Sequence, residues 1–176
     1  MNAKKLSFLL LILVAVACTN RSTSSEQDEM RHWNNVLQQI NALLLENKAR
    51  QTLDLAKQTL PEILESAEKN GTTDTLIYYA RKIFNACGNN YINTKQYKDG
   101  IDYMDSIGNH PLIREHCPHE LLSFKAGLNQ LYGNNPEAVR LAEDYLQLPV
   151  CTSANDFIRQ AEIISGVYML SLIHIS

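Results

Sequence analysis

The chain has 176 residues, a formal net charge of −3, 45% hydrophobic residues and 20% charged residues. So mildly acidic a balance argues against a nucleic-acid binder, because neutralising phosphates takes clustered Lys and Arg. Seven Gly and five Pro exclude collagen-like and low-complexity chains, and the length allows at most one ordinary domain.

Met1–Lys5 carries two lysines, and Leu6–Val16 is almost unbroken hydrocarbon. That order marks residues 1–17 as a secretion signal. Eleven positions, all but Ser7 apolar, are too few for a mature membrane-spanning helix, which needs about 20; a short membrane anchor is the alternative. Loss of the signal removes Lys4 and Lys5 and takes the formal charge to −5. Ala15-Val16-Ala17-Cys18 resembles a bacterial lipobox, although Ala15 stands where that motif usually has Leu. The resemblance implies lipidation at Cys18, a membrane attachment through the lipid, and a place in the periplasm or outer membrane. Cleavage near Ala17 without lipidation is the alternative. Thr19–Asp28 is polar and aperiodic, so residues 18–28 read as a flexible tether.

From Glu29 onward apolar residues recur at helical spacing, with no strict alternation, and the expected fold is all-α. Trp33, Val36, Leu37, Ile40, Leu43 and Leu44 form the first stripe. Leu53, Leu55, Ala56, Leu60, Ile63 and Leu64 form the second, with a break or kink expected at Pro61. Asn70-Gly71 stops that helix, and Thr72–Asp74 offers caps for the next. Further helices are predicted at Thr75–Asn93, Gln96–Ile107, His119–Tyr132, Pro136–Leu146 and Ala154–Met169, with Gly108–Pro118 a connector.

Self-similarity suggests the architecture. Around Gly88 stand Phe84, Tyr91, Tyr97, Gly100 and Met104, alternating small and bulky residues across two helices. Two helices approach closely only where a side chain is nearly absent, which Gly88 and Gly100 provide. A second copy shows in Gly133 at a turn, Pro136 opening a helix and Ala138 as the small residue. This spacing resembles the tetratricopeptide repeat, best over Ile77–Ile107. In Leu121–Tyr132 the small residue has no clear register. The resemblance implies an α-solenoid of antiparallel pairs over residues 29–169, about three and a half of them. Inserts at Pro61–Asp74 and Asn109–Pro118 lengthen the period beyond the usual length of about 34 residues.

The final seven residues, Leu170–Ser176, read L-S-L-I-H-I-S, which resembles a translated transposon sequencing adapter. The expectation is that residues 170–176 are an artefact and that the native protein continues past Met169; continuation of the preceding helix is the alternative. His174 is therefore set aside.

No phosphate-binding glycine loop, nucleophile elbow, H-E-x-x-H or Cys-x-x-Cys occurs, so no catalytic residue and no cofactor is expected. His110, His116, Cys117 and His119 cluster in the connector, but their spacing fits no familiar metal motif; solvent-facing loop histidines are expected. Glu62, Glu65 and Glu68, like Asp99, Asp102 and Asp105, read as solvated faces. Cys87 reads as a small core residue, and a Cys117–Cys151 disulfide is an open alternative. Asn85, Asn89 and Asn93 share a helix face flanked by Lys82, and Asn41 is the equivalent of Asn89 in the first pair. These five residues form the expected groove for a protein or peptide ligand. An exported repeat region with a lipoprotein-like signal also resembles the extracytoplasmic sensor part of certain two-component histidine kinases. That resemblance implies further repeats, a membrane helix and a cytoplasmic output domain beyond Met169. A free-standing envelope lipoprotein, serving as assembly scaffold or glycan-binding uptake component, is the alternative.

Overall fold

The computed structural model describes residues 27–149 and Gly166. The readings on residues 1–17, Cys18, Cys151, the rest of Ala154–Met169 and Leu170–Ser176 lie outside those residues. Among the described residues the chain is all-helical. Helix α1 spans 27–45, taking in Gln27 and Asp28 at the end of the expected tether. It is followed by α2 (Ala49–Asn70), α3 (Asp74–Asn93), α4 (Tyr97–Gly108), α5 (Pro111–His116), α6 (Pro118–Tyr132) and α7 (Asn135–Gln147). Among the described residues no helix is long and apolar enough to cross a membrane.

Three of the turns are the same structure. Asn47, Lys95 and Gly133 each adopt a left-handed backbone, with φ of 55°, 59° and 92°. In each case the next residue donates its N–H to a carbonyl five residues back: Lys48 to Leu43, Gln96 to Tyr91, and Asn134 to Asn129. This is the hydrogen bond of a Schellman cap. The following helix then starts from nearly identical dihedrals at Lys48, Gln96 and Asn134. So α1–α2, α3–α4 and α6–α7 are joined in one way.

The turns bring the packing residues into register. Seven positions before the left-handed residue stand Ile40, Gly88 and Ala126, all buried. Five positions after it stand Thr52, Gly100 and Ala138, also buried. Ala126 is thus the small residue that the sequence leaves without a clear register. A Cβ on Gly88 would lie 2.5 Å from the Phe124 ring, and one on Gly100 would lie 3.0 Å from Leu128. Phe84 meets Phe124 edge to face at 5.9 Å, while Tyr91 and Tyr97 join the same core.

Two expectations are corrected. Helix α2 is continuous through Pro61. Pro61 is exposed, whereas Leu60 and Ile63 beside it are fully buried, so packing holds a helix that the ring alone would disfavour. The Gly108–Pro118 connector contains α5, with Pro111 in its first turn and His110 as its cap. The Asn70–Asp74 signals hold: Gly71 ends α2 at φ 84°, and the Thr73 hydroxyl accepts the Leu76 N–H at 3.2 Å.

Candidate functional site: an amide-lined groove between α1 and α3

Helix α1 buries Trp33, Val36 and Ile40, which turns Leu37, Asn41 and Leu44 to its flank. Helix α3 buries Ala80, Ile83, Phe84, Cys87 and Tyr91. Its neighbouring stripe therefore carries Tyr78, Lys82, Asn85 and Asn89, spaced at helical intervals. Trp33 and Tyr79, with ring centroids 5.8 Å apart, hold the two helices together.

The result is a cavity of about 260 Å³ whose wall contains Asn41, Lys82, Asn85 and Asn89, four of the five expected groove residues. Leu37, Leu44 and Tyr78 supply its apolar surface. Lys82 Nζ lies 5.7 Å from the Tyr78 ring centroid, a cation–π contact that positions the ammonium on this wall. The fifth residue, Asn93, falls in a second cavity of about 320 Å³ that shares Leu44 with the first. Neither wall carries an acidic side chain. Such a surface, with amides that donate and accept beside one cation, suits an extended backbone or an anionic side chain.

The histidine cluster is not a solvent-facing loop. His110 is largely enclosed: Nδ1 accepts the Leu112 N–H at 3.2 Å, and Nε2 lies 3.2 Å from Glu68 Oε1. That second contact is close in distance but is not a hydrogen bond. His119 is buried; its Nε2–H donates to the Pro149 carbonyl at 3.0 Å, and its ring meets Tyr145 edge-on. Cys117 is a buried free thiol, pushed up to about 11 by burial and then by the charge of Glu120. Among the described residues no group of three or more His, Cys, Asp or Glu is placed to hold a metal. Glu62, Glu65, Glu68, Asp99, Asp102 and Asp105 are all exposed.

Other polar features have no counterpart in the motifs of the sequence. Glu120 is buried and pairs with Arg81 Nε at 3.1 Å, and Arg81 also donates to the His116 carbonyl, clamping α3 to the α5–α6 junction. Lys57 of α2 lies 5.5 Å and 5.7 Å from the Tyr91 and Tyr103 ring centroids. Hydrogen bonding to Tyr91 raises the Lys57 ammonium above its ordinary value. Beside them Cys87, buried as expected, is pushed up to about 12 by desolvation. Asn90 sits on the buried stripe with Ile83 and Cys87, a polar residue at a core position. Periodicity alone is enough to place it there.

The chain matches no family model, no curated protein and no solved structure.

Proposed function

We propose that the chain is a tetratricopeptide-like α-solenoid that binds an extended peptide or protein segment in the α1–α3 groove. The observation that carries this is the convergence of Asn41, Lys82, Asn85 and Asn89 on one cavity from two helices. The three matching turns and the registered small residues support repeat architecture, in which successive pairs stack and their first helices line a concave face. The lipobox-like Ala15–Cys18 and the signal before it support an exported, lipid-anchored protein of the bacterial envelope. On that basis the chain serves as the sensory part of a membrane signalling regulator.

The groove is tested by affinity selection of a random decapeptide pool with the full chain and with Asn89→Ala. The expected result is enrichment of peptides that bind the variant at least about tenfold more weakly, as loss of paired amide hydrogen bonds requires, at unchanged helix content. Equal binding by both proteins would move the site elsewhere. Retention of oligosaccharides in place of peptides would support the glycan-binding alternative. The anchor is tested by radiolabelled palmitate, which Cys18→Ala is expected not to incorporate; continued labelling would refute Cys18.

A further inference from the structure

The carboxylates of this chain are sorted by helix. Between Met30 and Leu45 of α1, and between Thr75 and Asn93 of α3, there is no acidic residue. The acids at the ends of these stretches are engaged: Asp28 pairs with Arg31 at 3.3 Å, Glu29 accepts from Ser66 at 2.8 Å, and Glu46 pairs with Lys48 at 2.6 Å. Asp74 stands in the first turn of α3, against the positive end of that helix. Exposed carboxylates sit instead on the second helix of each pair, as at Glu62, Glu65 and Glu68 of α2 and Asp99, Asp102 and Asp105 of α4. Neither α2 nor α4 contributes to the wall of the α1–α3 cavity. A chain with a formal net charge of −3 thus keeps its negative charge off the groove.

The cations are sorted more sharply. On the first helices Arg31 pairs with Asp28, Arg81 with Glu120 at 3.1 Å, and Lys125 with Asp105 at 2.6 Å. Among the described residues, Lys82 differs from these three in having no carboxylate within ion-pair distance. It is exposed, it lines the cavity, and its ammonium lies 5.7 Å from the Tyr78 ring centroid. Contact with one ring leaves an ammonium N–H donors for a second partner.

Taking the groove as the peptide site proposed above, we infer that the segment it holds is acidic. One internal Asp or Glu sets its side-chain carboxylate against Lys82, and a neighbouring apolar side chain rests on Leu37 and Leu44. Complementary charge of this kind fixes register and rejects wrong partners more than it adds affinity. A single unpaired ammonium answers a single carboxylate, whereas an acidic residue at a chain end would bring two. The carboxylate therefore belongs to a side chain within the segment, and no free C-terminus is required.

The test uses acetylated, amidated decapeptide pools, which carry no terminal charge. One pool has a single Glu at its centre, a second has Gln there and a third Lys, with uncharged residues elsewhere. Retention on the immobilised full chain is read by mass spectrometry. The Glu pool is expected to be retained about three- to fivefold better than the Gln pool, the range of a partly exposed ion pair, and the Lys pool least. That preference should disappear at about 1 M salt, where the Debye length is about 3 Å. Lys82→Gln should equalise the Glu and Gln pools, Lys82→Arg should keep the preference, and Lys82→Glu should reverse it toward Lys. A purely structural role for Lys82 would not reverse the order. Equal retention of the Glu and Gln pools, or a preference that survives Lys82→Gln, overturns the acidic ligand. If Asn89→Ala then still lowers the retention of both pools, the groove holds peptides but selects them without charge. Retention of no pool at all would overturn the groove and the acidic ligand together.

Discussion

Gly88 shows how one missing methyl group sets an interhelical distance. A Cβ there would come within 2.5 Å of the root of the Phe124 ring as well as its edge, so a flexible tip cannot swing away. Gly88→Ala is accordingly expected to destabilise the protein by about 1–3 kcal/mol through overpacking, read as a lower urea midpoint. Gly127 is the control: it lies inside α6, and a Cβ added to it would meet nothing within 4 Å. There Gly127→Ala should stabilise by about 0.5–1 kcal/mol, because a helical glycine gives up more backbone freedom on folding. Equal effects at the two positions would contradict the packing described. The importance of Gly88 is legible in sequence from its spacing to Phe84 and Tyr91. Its partner Phe124 is not, because that contact joins different helix pairs across a stretch whose length the repeat pattern does not set. Asn90 is legible as a polar residue on an apolar stripe, but its orphaned oxygen depends on the bond to Ala86 and so on the folded geometry.

At the scale of elements, the repeated turn makes a directional prediction. Lys95 holds φ 59° with a side chain, whereas Gly133 holds φ 92° without one. Lys95→Gly should therefore stabilise the α3–α4 turn, and Gly133→Ala should destabilise the α6–α7 turn, each by about 1 kcal/mol. Thermal unfolding of the pair checks this; shifts of the same sign would refute it. The contact between α2, α3 and α4 makes a pH prediction. Burial raises the Cys87 thiol from the ordinary 9.0 to about 12, and burial likewise raises the Tyr91 and Tyr103 hydroxyls. Each group holds its proton longer when folded than when unfolded. Its stabilising contribution is complete below the unfolded value and is lost as pH rises toward the folded one. For Cys87 that loss runs from about pH 9 to about 12, at up to about 1.4 kcal/mol per pH unit. Stability should be insensitive to these groups at neutral pH and fall in alkali, and Cys87→Ala should flatten the decline. A slope unchanged in that variant would contradict the burial of Cys87. Most helices are legible in sequence because their apolar stripes are long. Helix α5 is not, since its six residues are too few to show a period. The continuity of α2 through Pro61 is hidden for a different reason: the local signal says break, and tertiary packing on Leu60 and Ile63 prevails.

For the whole molecule, the all-helical class follows from periodicity, and the three like turns give the pairs a common geometry that spacing alone leaves irregular. The groove is legible in part. Asn41 and Asn89 stand six residues before their left-handed turns, which is why a register argument places them together. In α6 that position is Gly127, so the register places no amide there. The central claim is the ligand groove itself, and an NMR titration of the full chain with a peptide from the decapeptide selection addresses it most directly. Saturable shifts concentrated on the side-chain amides of Asn41, Asn85 and Asn89 are expected. Shifts confined to α6 and α7, with those three amides unmoved, would contradict a binding site in the α1–α3 cavity.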